Sequence, residues 1–263
     1  MGLTGKTPGD TYLDLFEVDN SNNGVDSTIR QVKTGNGASS AISISDRALK
    51  VKSATNNTTA LDIQNASGAS KFVVDTTNNQ VKSLGTHVNT QYAYFGVGDT
   101  GMANILADTH YAVPFKNFQT SGSVDIDFGT GTDPDTTFTT ADTDTQWGSQ
   151  IVPMMWFVPD NISIDGVTSI EGADANLSGG DATTRMHLLS YTFTSGSTSA
   201  LSSGTLLAHN SDVTNSGNES AYLSNWTVDS ASVAAGKVIL AFFRTDNVNA
   251  DYSLNIIIKY HLT

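Results

Sequence analysis

Five histidines, a cluster of aspartates and two late glutamates are the residues of this chain that could do chemistry. The histidines are His87, His110, His187, His209 and His261. No two of them stand in a His-Glu-x-x-His or His-x-His spacing, so no local metal motif is written in the sequence. A zinc site would have to be assembled by the fold from separated positions. The aspartates Asp125, Asp127, Asp133, Asp135, Asp142 and Asp144 are spaced by Gly and Thr. Carboxylate oxygens on flexible loops suit a hard cation such as calcium. The run lacks the order of a helix–loop–helix calcium site and its closing glutamate. The reading is therefore a solvated acidic loop, with Asp125, Asp127, Asp133 and Asp135 as the ligands if calcium binds. After Glu17 the only glutamates are Glu171 and Glu219, and nothing singles out a carboxylate pair of the kind glycoside hydrolysis needs.

Other catalytic patterns are missing. Gly5-Lys6-Thr7 has no glycine five places before it and no preceding strand, so it is not a phosphate-binding loop. Gly35-Asn36-Gly37 lacks the third glycine of a dinucleotide loop. There is no Gly-x-Ser-x-Gly elbow. The chain has no cysteine, which excludes disulfides, thiolate metal sites and cysteine nucleophiles. The expectation is a non-enzymatic protein with no cofactor and no resident metal.

The elements that would carry these residues can be read from composition and periodicity. Of 263 residues, 15% are charged and 38% hydrophobic. Ser, Thr, Asn and Gly fill the difference, as in β-rich surface proteins. The net charge of −13 argues against a nucleic-acid footprint. No run approaches ~18 apolar residues, so no membrane insertion is expected. The N-terminal MGLTGKTPGD offers no hydrophobic signal region.

Charge divides the chain. Residues 1–90 hold eight basic and eight acidic residues, so all of the −13 lies in 91–263. Before Gly85 the only aromatic residues are Tyr12, Phe16 and Phe72, too few for a substantial core. A boundary is expected between Leu84 and Gln91. Thr7 as cap, Pro8 and Asp10 predict a short helix with Tyr12, Leu15 and Phe16 on one face. Beyond Gly37 come short alternating strands that offer Ile42 and Ile44, Leu49 and Val51, Leu61 and Ile63, Phe72 and Val74. Turn-forming residues separate them. Each strand gives a thin apolar stripe with little to bury it. Three copies about an axis would supply one another's core, so these eight residues are the predicted trimer core. A small meander packed on the second part is the alternative.

From Tyr92 onward the pattern is β throughout, read as a β-sandwich or jelly roll. Val124, Ile126 and Phe128 alternate with aspartates, and His187, Leu189, Tyr191 and Phe193 with polar residues. Val238 to Phe243 reads as a central strand buried on both faces. Tyr252, Leu254, Ile256, Ile258 and Tyr260 point one way. Pro153 and Pro159 are expected to bound an edge segment. Trp147, Trp156 and Trp226 are candidates for stacking on sugars, against the commoner role of tryptophan in a core.

Two stretches carry a resemblance. Residues 6–45, KTPGDTYLDLFEVDNSNNGVDSTIRQVKTGNGASSAISIS, and 60–85, ALDIQNASGASKFVVDTTNNQVKSLG, resemble the N-terminal part of fibre-type virion structural proteins of tailed bacteriophages, especially short-tailed marine phages. The resemblance covers about a third of the chain. It implies an attachment region at 1–40, a β-repeat shaft that trimerises at 41–90, and a globular head at 91–263. It further implies a tail fibre at the phage particle surface, made in the host cytoplasm. Its N-terminal region would hold other virion proteins, and its head would recognise a host surface glycan or protein. The chain lacks the long shaft of many tail fibres. A capsid decoration or head fibre without receptor binding is the alternative. A depolymerase would need a long β-helix and a carboxylate cleft, for which the chain is short.

Overall fold

The computed structural model describes residues 15–21, 23–98, 105–116, 126–138, 151–174, 180–197, 200–216 and 220–263. The chain divides into two compact units between Val88 and Asn89. Among the described residues every strand pairing is antiparallel, and helical geometry is confined to Ile151 and the 3₁₀ turn at Val152–Met154. The protein is all-β.

The first unit contains two four-stranded meanders. One comprises β1 (Phe16–Val18), β2 (Arg30–Thr34), β3 (Ser39–Ile44) and β4 (Leu49–Val51) in sequence order. The other comprises β5 (Leu61–Gln64), β6 (Ser70–Asp75), β7 (Gln80–Ser83) and β8 (Thr86–His87). Short polar turns set the registers. Asp75 Oδ1 accepts from the amides of Thr77 and Asn78, both at 2.9 Å, closing the β6–β7 turn. The N-terminal helix expected from Thr7 and Pro8 falls mostly on residues outside those described. Phe16, its last predicted member, instead opens β1, where it pairs with Thr34. Strand β3 runs across residues 40 and 41, where the attachment region and the shaft were expected to meet.

The second unit contains two larger sheets. The seven-stranded sheet has the order β10 (Tyr111–Val113), β19 (Lys237–Thr245), β13 (Ala182–Phe193), β14 (Leu201–His209) and β17 (Thr227–Val228). Here β11 (Trp156–Phe157) also pairs with β19 and β15 (Val213–Asn215) with β13. The five-stranded sheet has the order β16 (Ser220–Asn225), β12 (Ile162–Asp174), β20 (Asp251–Leu262) and β9 (Thr90–Val97), with β18 (Ser232–Val233) on β12. The two sheets share one core. Phe95, Ile164, Ile256 and Ile258 of the smaller sheet cluster with Met186, Leu188, Ile239 and Phe243 of the larger.

A second apolar cluster lies on the other face of the larger sheet. Leu189, Tyr191, Leu240 and Phe242 pack there against Ile126, Phe128, Phe138, Ile151 and Met154. Strands β13 and β19 are therefore covered on both faces, which explains the unbroken apolar run from Val238 to Phe243. Ile126 and Phe128 are buried as their alternation predicts, but Asp127 between them makes only an isolated bridge with Tyr111. Phe115 stacks on Trp156 with ring centroids 5.9 Å apart and planes 9° apart.

Candidate functional site

The eight residues read as a trimer core all fall on the apolar faces of the two small sheets. Ile42 stands opposite Val51, and Ile44 opposite Leu49. Leu61 stands opposite Val74, and Ile63 opposite Phe72. Residues directly opposed in a ladder share a face. The reverse faces are mainly polar, with Ser43 opposite Lys50 and Asp62 opposite Val73, which in turn faces Lys82. The register adds residues beyond these eight. Val81 joins Val74 on the second sheet, and Val18 opposite Val32 extends the first. Among the described residues of this unit nothing covers these faces. Phe16 is 72% exposed, Leu49 69%, Ile63 53% and Ile42 43%. A cleft of about 360 Å³ lies between the two sheets, lined by Val51, Leu61 and Val74 together with the polar Lys52, Asn56 and Thr76.

In the second unit the fold brings together three of the five dispersed histidines. His187 lies in β13 opposite Phe242 of β19 on one side and His209 of β14 on the other. His110 immediately precedes β10. The rings of His110 and His187 meet edge to face with centroids 4.9 Å apart, and His209 stacks beside His187 at 6.4 Å. His110 and His187 are fully buried. His110 Nε2 lies 3.0 Å from the Gly131 carbonyl oxygen. A carbonyl only accepts, so Nε2 carries the proton and the neutral ring's bare nitrogen is Nδ1. That Nδ1 and both ring nitrogens of His187 are buried with no hydrogen-bond partner. His209 Nδ1 is 2.8 Å from Asp229 Oδ2.

Burial sets the protonation of this row. Desolvation, with His110 and Arg185 nearby, pushes the His187 pKa down to about 3. Desolvation likewise lowers that of His110. Both imidazoles are thus neutral at pH 7 and available as lone-pair donors. Beside them Arg185 of β13 stands directly opposite Arg244 of β19. Each arginine is braced by a carboxylate: Arg244 Nη2 donates to Asp108 Oδ1 at 2.8 Å, and Arg185 Nη1 lies 3.4 Å from Asp212 Oδ1. A cleft of about 210 Å³ opens there, lined by Asp108, Thr183, Arg185, Asp212, Arg244 and Asp246.

The acidic loop crosses this row. Asp135 N donates to the Phe128 carbonyl at 2.7 Å, and Tyr191 Oη donates to the Asp135 carbonyl at 2.8 Å. Gly129, at φ +83°, lets the Asp135 carboxylate approach to 2.6 Å from where a Cβ would stand. Asp133 is thereby held over the histidines, its Oδ1 3.4 Å from His187 Nε2. Of the predicted calcium ligands, Asp125 lies outside the described residues. Asp127 Oδ1 accepts from the Gly129 amide. Asp127, Asp133 and Asp135 do not gather their carboxylates within ligand spacing of one another.

Trp156 and Trp226 take the core role that tryptophan more commonly has, and not the sugar-stacking one. Trp156 and Trp226 are 7% exposed and belong to the shared core. Trp226 Nε1 donates to Ser169 Oγ at 2.9 Å, so the ring is anchored inside and offers no stacking face. Trp147 lies outside the described residues. The histidine row was missed because its members approach only through the pairings β10–β19–β13–β14, and no local spacing signals that.

No protein-family model matches the chain, and no curated protein does. Among solved structures it is similar to the crystal structure of an aminopeptidase from the marine sediment archaeon Thaumarchaeota archaeon, at 10% sequence identity and a TM-score of 0.30. The match covers 78% of this chain and 41% of that one, so the chain spans about two fifths of the length of the protein it matches.

Proposed function

We infer that this chain is a non-enzymatic, fibre-type virion structural protein, a homotrimer whose first unit assembles and attaches it and whose second unit is a head that recognises the host surface. The observation that carries the reading is the pair of single-layer sheets with bare apolar faces in residues 15–88. A sheet with one apolar face needs a second layer to cover it. Among the described residues of that unit no such layer exists. Large exposed apolar patches mark association sites. Copies of the same face arranged about an axis cover one another with identical side chains, and the narrow meanders suit three of them closing a small core.

The charge distribution supports the division of labour. The neutral first unit can pack closely on itself and on other virion proteins. The second carries the whole −13, tolerable in three copies only where water and salt screen it. Adhesion to an anionic envelope then depends on short-range contacts, for which the cleft beside Arg185 and Arg244 is a suitable polar surface. The test is to label the chain on intact particles and to compete host adsorption with the isolated second unit. Surface labelling together with blocked adsorption supports the reading. Labelling without any competition favours an accessory decoration protein.

A further inference from the structure

We propose that His187, His110 and Asp133 form a binding site for a divalent transition-metal ion of the zinc class. Three buried imidazole nitrogens without partners lie in one place: Nδ1 of His110, and Nδ1 and Nε2 of His187. Unsatisfied buried polar atoms are rare and costly in folded proteins, and an ion is one of the few things that satisfies a bare imidazole nitrogen. His187 is the decisive residue: its side chain is wholly buried with neither nitrogen hydrogen-bonded, and as a neutral ring it offers one lone pair, at Nε2 facing Asp133, with its proton on Nδ1.

The distances suit a metal better than a hydrogen bond. His187 Nε2 and Asp133 Oδ1 are 3.4 Å apart, beyond the usual N–H···O range of ~2.7–3.2 Å. Two ligands on one tetrahedral zinc, each about 2.0–2.1 Å from it, stand roughly 3.4 Å from each other. His110 brings the outer contact that metal-bound histidines characteristically have. Its Nε2–H is held by the Gly131 carbonyl, which leaves Nδ1 to coordinate. The donor atoms of the three residues do not all lie within 4.8 Å of one another, so closure of the site takes a turn of the exposed Asp133 side chain, with the His110 ring kept on Gly131. Asp133 is 55% exposed, and solvent reaches the site from its side. Arg185 and Arg244 oppose a cation here, and the carboxylates of Asp212 and Asp108 offset them. Imidazole donors select zinc, nickel or cobalt over calcium.

The experiment titrates the full chain with Zn²⁺, Co²⁺ and Ca²⁺ by calorimetry and follows the Co²⁺ ligand-field spectrum. The expected result is one Zn²⁺ or Co²⁺ per chain, a tetrahedral-type Co²⁺ spectrum and a higher melting temperature, with no response to Ca²⁺. Asp133→Asn, an exposed position, should keep the fold and weaken binding by roughly tenfold or more. His187→Gln should abolish it. His261 pairs separately with Asp165, Nδ1 to Oδ1 2.9 Å, so His261→Gln is the control for binding elsewhere. No saturable binding overturns the proposal. So does binding that survives Asp133→Asn and His187→Gln but is lost in His261→Gln.

Discussion

Ile63 of β5 stands directly opposite Phe72 of β6, and Ile63 remains more than half exposed within its own chain. A cross-strand apolar pair of this kind normally lies under a second layer. If that layer is another copy, charge placed on the face is expelled from the assembly. Replacing Ile44 and Ile63 together by Asp should dissociate the oligomer, because each unpaired buried carboxylate costs on the order of several kcal/mol. Size-exclusion chromatography with light scattering reads the loss. The same substitutions should leave the far-UV circular dichroism of the second unit unchanged.

The second unit should fold by itself when cut at its true start. Thr90 pairs with His261, and Asn89 Nδ2 donates to the Leu262 carbonyl at 2.8 Å, so a fragment of residues 89–263 keeps its edge intact. It is expected to be a cooperatively unfolding monomer. The full chain is expected to be the oligomer. A fragment that oligomerises as the full chain does would place the assembly surface in the wrong unit.

Gly129 should not tolerate a side chain. Its positive φ and the Asp135 carboxylate at 2.6 Å both oppose a Cβ. Gly129→Ala should lower stability by about 1–3 kcal/mol, read from denaturant midpoints. It should also shift the Asp133 loop, visible as altered chemical shifts of the His187 ring.

Glu171 of β12 is a buried carboxyl. Its Oε2 accepts from Thr184 Oγ1 at 2.8 Å, while Oε1 has no partner. Burial raises its pKa to about 7 from 4.5, only partly offset by the Thr184 hydrogen bond. The folded state therefore holds this proton where the unfolded state has released it. The stabilisation is fully present below pH 4.5 and is lost as pH rises towards 7. A shift of that size corresponds to about 3 kcal/mol. Glu171→Gln, which cannot ionise, should lack this component. Comparing the two proteins' unfolding free energies from pH 4.5 to 7.5 isolates it from other titrating groups. Parallel curves would refute the assignment.

The parts of this fold legible in the sequence are those set by local periodicity. The alternation of Tyr252, Leu254, Ile256 and Ile258 predicts one buried face of β20, and all four are buried. The Val238–Phe243 run predicts a strand covered on both sides, and β19 lies between β10 and β13 with an apolar cluster on each face. Phe16 shows the limit. The spacing of Tyr12, Leu15 and Phe16 satisfies a helical face, yet Phe16–Val18 also alternates, and pairing with Val32–Thr34 decides in favour of a strand. Trp156 and Trp226 look alike in sequence as surface or core residues, and only the packing of Phe115 and Ser169 around them settles it. The histidine row lies beyond local reading. His110, His187 and His209 are neighbours because non-local strand pairings make them so.

The central claim is that the bare apolar faces of the first unit are covered by two further copies of the same chain. Sedimentation equilibrium of the full chain at micromolar concentration and moderate salt tests it most directly. The account predicts a single species of three times the 27.7 kDa chain mass, stable on dilution at moderate salt, where the charge of the three second units is screened. A monodisperse 27.7 kDa monomer under the same conditions would contradict it.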